Sequence, residues 1–210
     1  MKPVADFFPR ILPPVISCPA PFAEQSLVDA AIEFCDKSLV IRYTPDSVNT
    51  EAGLAAYDFD IPTNQEYSRV VYVTVNGKKL KSLPTIGLPV KDNVSDTIPT
   101  HFYVTQNESE VVLNLFPAPD KVYPIEMSIV LRPVRGAKYL DDDLFVYWHE
   151  ALTHGALYRL KSTPGQPYSD LVSAGIHKAA AYTMCHNARI EGNMGRVVGS
   201  SSVKQQPFVR

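Results

Sequence analysis

Arg69-Val70-Val71-Tyr72-Val73-Thr74-Val75-Asn76-Gly77 is the stretch on which the fold turns. A run dense in β-branched and aromatic side chains leads into Asn-Gly, the dipeptide that accepts positive φ at both centres of a tight hairpin turn. A strand therefore ends at Val75, and 78–83 is expected to return beside it. Upstream, Tyr57, Phe59 and Ile61 alternate with polar residues, so the β region has already begun there. Downstream, Pro84, Gly87, Pro89 and Pro99 make 84–100 an irregular loop. Three more β-rich runs follow at 101–105, 110–116 and 125–132. Turn residues Gln106-Asn107-Glu108-Ser109 and Pro117-Ala118-Pro119-Asp120 separate them. A small antiparallel sheet or barrel over 54–133, with sequential strands as neighbours, is the expectation.

Helical periodicity lies on both sides of this region. Leu27, Ala31 and Phe34, with Val28, Ile32, Cys35 and Leu39, repeat at helical spacing, which predicts a helix over 23–42 stopped by Pro45 and Asp46-Ser47-Val48-Asn49. Asp141-Asp142-Asp143 suits an N-cap and first turn, where free N–H groups and the positive dipole end favour carboxylates. A second helix is predicted over 143–162 and a third over 168–191, joined as an antiparallel hairpin by Thr163-Pro164-Gly165-Gln166-Pro167. Leu171, Val172, Gly175, Ala179, Tyr182 and Cys185 mark the third helix's apolar side. Prolines at 3, 9, 13, 14, 19 and 21 predict an extended arm over 1–22, and glycines and serines predict a tail over 193–210. Both ends are expected to lie on neighbouring subunits or partners. The expected fold class is α+β: a helical body (23–53 and 134–192), one N-terminal helix plus a C-terminal pair, carrying the inserted β domain (54–133) and two extended arms.

At 45% hydrophobic the chain can bury a sizeable core. Its 20 basic and 22 acidic residues give a formal charge of −2, so no overall basic field draws it to DNA or an anionic membrane. Its opening lacks a charged region followed by a long apolar run, so no signal peptide is expected, and no apolar run reaches the roughly 18–20 residues of a membrane span. Cys18, Cys35 and Cys185 cannot all pair within one chain and show no CxxC spacing, so they are expected to be reduced thiols.

His149-Glu150-Ala151-Leu152-Thr153-His154 approaches the His-Glu-x-x-His pattern of zinc peptidases, but its histidines are five positions apart instead of four. Five positions turn a helix by about 140°, so the rings diverge and no metal site is assigned to them. His101, His177 and His186 are lone histidines, expected at surfaces or interfaces. No nucleophile elbow and no phosphate or dinucleotide loop is present in the sequence, so neither catalytic residues nor a cofactor is expected. Lys78, Lys79 and Lys81 form the tightest basic group, expected to solubilise a hairpin edge.

Four segments in order resemble the head-to-tail adaptor, or head-completion, proteins of short-tailed bacteriophages. Phe8-Pro9-Arg10-Ile11-Leu12-Pro13 through Cys18-Pro19, followed by Leu27 to Cys35, is similar to that family's proline-rich arm and first helix. Val73 to Leu80 and Leu113-Asn114-Leu115-Phe116-Pro117-Ala118-Pro119 resemble its inserted β domain. Leu140 to Leu144 and Glu150 to Leu160 resemble its C-terminal helical pair. The resemblance spans nearly the whole chain. It implies a structural virion protein and not an enzyme, a homo-oligomeric ring of twelve copies in the neck between capsid portal and tail. The ring would be assembled in the host cytoplasm and would continue the DNA channel. Implied partners are the portal protein, a tail or nozzle protein and, non-specifically, packaged DNA, with no membrane. Candidate portal-binding residues are Val197, Val198, Val203, Phe208 and Arg210. Candidate subunit-packing residues are Trp148, Leu152, Gly155, Gly175 and Tyr182, the glycines permitting close helix approach. The alternative is a receptor- or glycan-binding β module with Tyr57, Tyr67, Tyr72 and Tyr103 lining a pocket, although period-two placement favours them as core.

Overall fold

The computed structural model describes residues 1–84, 97–106 and 111–194. It has an α+β fold, with antiparallel sheets against a layer of three long helices. In chain order the elements are β1 (Lys2–Pro3), a 3-10 turn (Val4–Phe7), α1 (Phe8–Ile11), α2 (Ala20–Ser38), β2 (Arg42–Tyr43), β3 (Val48–Asn49) and β4 (Ala56–Asp58). Next come β5 (Gln65–Val75), β6 (Lys78–Lys79), β7 (Lys81–Ser82), β8 (His101–Gln106), β9 (Val111–Phe116), β10 (Pro124–Pro133) and β11 (Tyr139–Leu140). The chain then forms α3 (Asp142–Val146), α4 (His149–Lys161) and α5 (Leu171–Met194).

The Asn-Gly turn forms where expected: Asn76 and Gly77 have φ of 51° and 71°, and β5 pairs with β6 across it. Strand order departs from the sequential expectation. The long partner of β5 is β10, in a sheet ordered β2-β10-β5-β6, while a second sheet runs β4-β9-β8-β7 and its β7–β8 pair is parallel. The reason lies in burial. β10 buries every residue from Met127 to Leu131, so both of its faces are covered, as suits a central strand rather than a meander edge. Leu80, only 4% exposed, divides the return strand, so β6 stays with β5 and β7 crosses to β8.

Bulges in β5 tie this sheet to the helices. The β5–β10 register slips beside Ser68 and Val71. The Ser68 hydroxyl donates to Asp36 Oδ1 of α2 at 2.5 Å. Arg132 of β10 donates to Asp36 Oδ2 at 2.8 Å and to Glu66 Oε1 at 2.9 Å, so one guanidinium joins α2 to two strands. One hydrophobic cluster runs from Phe34 and Leu152 in the helices to Ile129 and Leu131 in the sheet.

Several boundaries move for physical reasons. α2 ends at Ser38, short of the expected 42, because Leu39 turns left-handed (φ 59°) and the next residues pair with β10, the Leu131 N–H donating to the Ile41 carbonyl at 2.9 Å. The helix expected over 143–162 is two, α3 and α4. Trp148 leaves helical geometry between them (φ −120°, ψ 11°) to place its ring 5.7 Å from that of Phe34. α5 begins at Leu171 rather than 168, where Asp170 Oδ1 accepts the Ser173 N–H at 3.0 Å as a cap. Asp141 caps α3 as expected, accepting the Asp143 N–H at 2.9 Å.

Residues 1–22 differ most from expectation. They do not reach away as an extended arm: Val4, Phe7, Ile11 and Val15 are at most 2% exposed and belong to the chain's own core. Pro9 sits in the first turn of α1, where no intrahelical N–H is needed, while Pro3 lies in β1 and Pro13 and Pro14 follow the end of α1.

Candidate functional site

The three long helices form a layer in which α4 is central. Its Ala151, Leu152, Thr153, Gly155, Ala156, Leu157 and Leu160 are buried, which leaves few positions for solvent. α2 and α5 cover it from two sides. A polar clasp closes the layer: Glu33 of α2 accepts from Lys37, from Arg159 of α4 and, at 3.1 Å, from the Tyr182 hydroxyl of α5. Lys37 also donates to the Tyr182 oxygen at 2.9 Å. Burial pushes the Glu33 carboxyl up, but the hydrogen bonds from Lys37 and Arg159 outweigh it and hold the group below its ordinary value.

The five residues expected to pack subunits together divide into two groups. Trp148 and Leu152 are 8% and 0% exposed inside this layer. At Gly155 an added Cβ would stand 3.0 Å from the Ala30 Cβ of α2, so the close approach it permits is within one chain. These three are corrected from subunit contacts to intramolecular ones, because their neighbours already surround them. Gly175 faces outward, where a Cβ would meet nothing within 4 Å, whereas Tyr182 is 43% exposed at its edge but is tied by its hydroxyl to Glu33 and Lys37 of the same chain.

Their surroundings supply what the periodicity alone could not. α5 buries the small residues Ala174 and Ala188, with Cys185, and turns Leu171, Val172 and Ile176 outward at 73%, 79% and 66% exposure. The apolar side named from the sequence is therefore the outer side of the helix, apart from the buried Cys185 and the clasped Tyr182. A helix apolar on opposite sides is normally covered on both.

The histidines point to separate neighbours. His149 stacks on Phe7 at 4.9 Å between ring centroids. His154 instead turns to α5, its Nδ1 lying 2.7 Å from Nδ1 of His177, with Glu150 Oε1 3.9 Å from its other ring nitrogen. Among the described residues no three His, Cys, Asp or Glu side chains gather as a metal-binding group. Burial lowers the His177 pKa from 6.5, with His154 and Lys161 adding to the effect and Asp170 opposing it. Burial and Arg10 lower His149 likewise, against Glu150.

Lowered folded-state values mean that below about pH 6.5 the unfolded chain binds more protons than the folded one. Stability is thus fully present above that pH and is lost as pH falls toward the lowered folded values. The midpoint of urea unfolding is expected to drop between pH 7.5 and 5.5, and to drop less in His177→Gln. An equal drop in that variant would place the sensitivity elsewhere.

The aromatic cluster of the alternative reading does not form one surface. Tyr57 is 6% exposed, its hydroxyl donating to the Leu54 carbonyl at 2.7 Å. Tyr67 and Tyr72 line a groove of about 460 Å³ with Arg69, Lys79 and Phe102, and Tyr103 is not among its lining residues. Lys78, Lys79 and Lys81 are exposed, the first two forming the edge strand β6. Cys18, Cys35 and Cys185 are free, and burial pushes the thiols of Cys35 and Cys185 up, away from the reactive thiolate. Val197, Val198, Val203, Phe208 and Arg210, the candidate portal contacts, lie outside the described residues. Among the described residues no helix is long and apolar enough to cross a membrane. Searches of known protein families and of curated proteins find no match to this chain.

Proposed function

We propose that this chain is a structural virion protein that assembles as a ring in the neck of a tailed bacteriophage, attaching to the portal and joining it to the tail. The observation that carries the reading is the outer side of α5, where Leu171, Val172 and Ile176 stand exposed on a helix whose inner side is already packed. Side-by-side assembly of copies covers such a surface at no cost in new architecture. The order of the adaptor-like segments along the sequence supplies the neck, the portal and the twelvefold ring. The portal protein, a tail or nozzle protein and non-specific contact with packaged DNA complete the partners in this reading, and no catalytic step is assigned.

The tail beyond α5 is the proposed portal anchor, through Val197, Val198, Val203, Phe208 and Arg210. A terminal segment can be removed by truncation without touching the packed body of the chain. The chain mixed with the portal protein of the same phage is expected to form a ringed complex visible by negative-stain electron microscopy. Deletion of residues 195–210 is expected to abolish the complex while leaving the thermal transition of the chain in place. A complex that survives the deletion would remove the anchor from the reading, and no complex with the full chain would remove the neck assignment.

A further inference from the structure

α5 carries a seam of outward residues at alternating spacings of four and three: Val172, Ile176, Ala179, Thr183, His186 and Ile190. That spacing is the heptad pattern by which one helix lays a continuous line of side chains against another at a shallow crossing angle. Every one of the six is exposed, Val172 at 79%, Ile176 at 66% and Ile190 at 45%. Directly opposite on the helix lie Ala174 and Ala188, the residues packed against the body of the chain. The seam is therefore centred on the free side.

The seam is also symmetric about position 181. Reversed and laid on itself it sets Val172 against Ile190, Ile176 against His186, and Ala179 against Thr183. The small pair falls in the middle, where two crossing helices approach most closely, and the larger side chains fall toward the ends. Lys178 and Arg189 lie roughly 100–120° around the helix from the seam, with Lys178 Nζ 5.3 Å from the Tyr158 ring of α4, so no basic side chain interrupts the line. Charge bears on direction only at the helix ends. Glu191, exposed, comes level with Leu171, the first residue of the other α5, where free N–H groups and the positive dipole end favour a carboxylate.

We infer that the free chain pairs with a second copy of itself through the outer face of α5, in an antiparallel, two-fold arrangement centred at position 181. This inference stands on α5 alone and not on the neck reading, since a cyclic ring joins unlike surfaces and this contact joins like ones. Within a ring-forming protein such a pair keeps the seam covered until assembly opens it.

Sedimentation equilibrium of the full chain is expected to give the mass of two copies at about 100 μM, and Ile176→Arg to weaken association by about tenfold or more. Ile176 is exposed, so its substitution leaves the thermal transition in place. Direction is read by oxidation in a Cys18→Ser background. Val172→Cys with Ile190→Cys is expected to link two chains, whereas Val172→Cys alone is not, because its two copies lie about 27 Å apart along the antiparallel pair. A chain that stays monomeric at that concentration overturns the inference. So does linkage by the single variant as readily as by the double one, and so does a larger assembly in which the double variant fails to link. Binding to the portal is a separate measurement and decides the neck reading alone.

Discussion

Replacing Phe7 by alanine is expected to lower the folding stability of the isolated chain by about 3–5 kcal/mol, read as a fall in the urea midpoint at an unchanged slope. Phe7 is completely buried, its ring edge-on to Phe145 at 5.2 Å and stacked on His149 at 4.9 Å. Truncation removes the transfer free energy of the ring and leaves a cavity walled by α3 and α4; α4 is packed against α2 and cannot collapse freely into it. The Val4 N–H donates to the Lys138 carbonyl at 3.0 Å and β1 pairs with β11, so the segment is anchored on both sides of the ring. A loss below about 1 kcal/mol would show that residues 1–15 are not part of the folding unit, the behaviour of an arm borrowed by a neighbour.

That segment also shows what a sequence discloses and what it hides. Val4, Phe7, Ile11 and Val15 recur at steps of three and four, a helical stripe, but prolines at 3, 9, 13 and 14 dominate the local pattern and suggest extension. The stripe was the usable signal: proline in a first turn is compatible with a helix. Local chemistry decides structure by itself at Asn76-Gly77, at the Asp141 cap and at the break over 163–167, and there the sequence is legible. Non-local choices are not legible in it. Val73 accepts the Leu80 N–H of the returning strand, as the hairpin foretells, but nothing near it announces that Met127 of β10 lies on its other side, because long pairings are selected by whole-core burial. On α5 the periodicity shows that both sides are apolar without showing which is inward. The structure turns the small residues in, because Ala174 and Ala188 let the helix lie close to its neighbours, and the larger residues are left for the candidate interface. The clasp of Glu33, Lys37, Arg159 and Tyr182 joins residues from three distant parts of the chain, and only Glu33 and Lys37 had a readable signal, their spacing of four on one helix face.

Leu152→Ala is expected to cost about 2–5 kcal/mol of monomer stability and to leave association of the surviving folded chain unchanged. Leu152 was a candidate contact between copies, and in that role its truncation would act on assembly alone. It is instead 0% exposed on the central helix of the layer, between α2 and α5, so the methyl groups lost are ones that the chain buries against itself. Ile176→Arg is the converse substitution: it adds charge to an exposed site on α5, leaves folding intact and acts on pairing. Measuring both variants by urea unfolding at low concentration and by sedimentation equilibrium at high concentration separates the two surfaces. Loss of pairing without loss of stability in Leu152→Ala would move the contact between copies to α4, and with it the face by which the protein assembles.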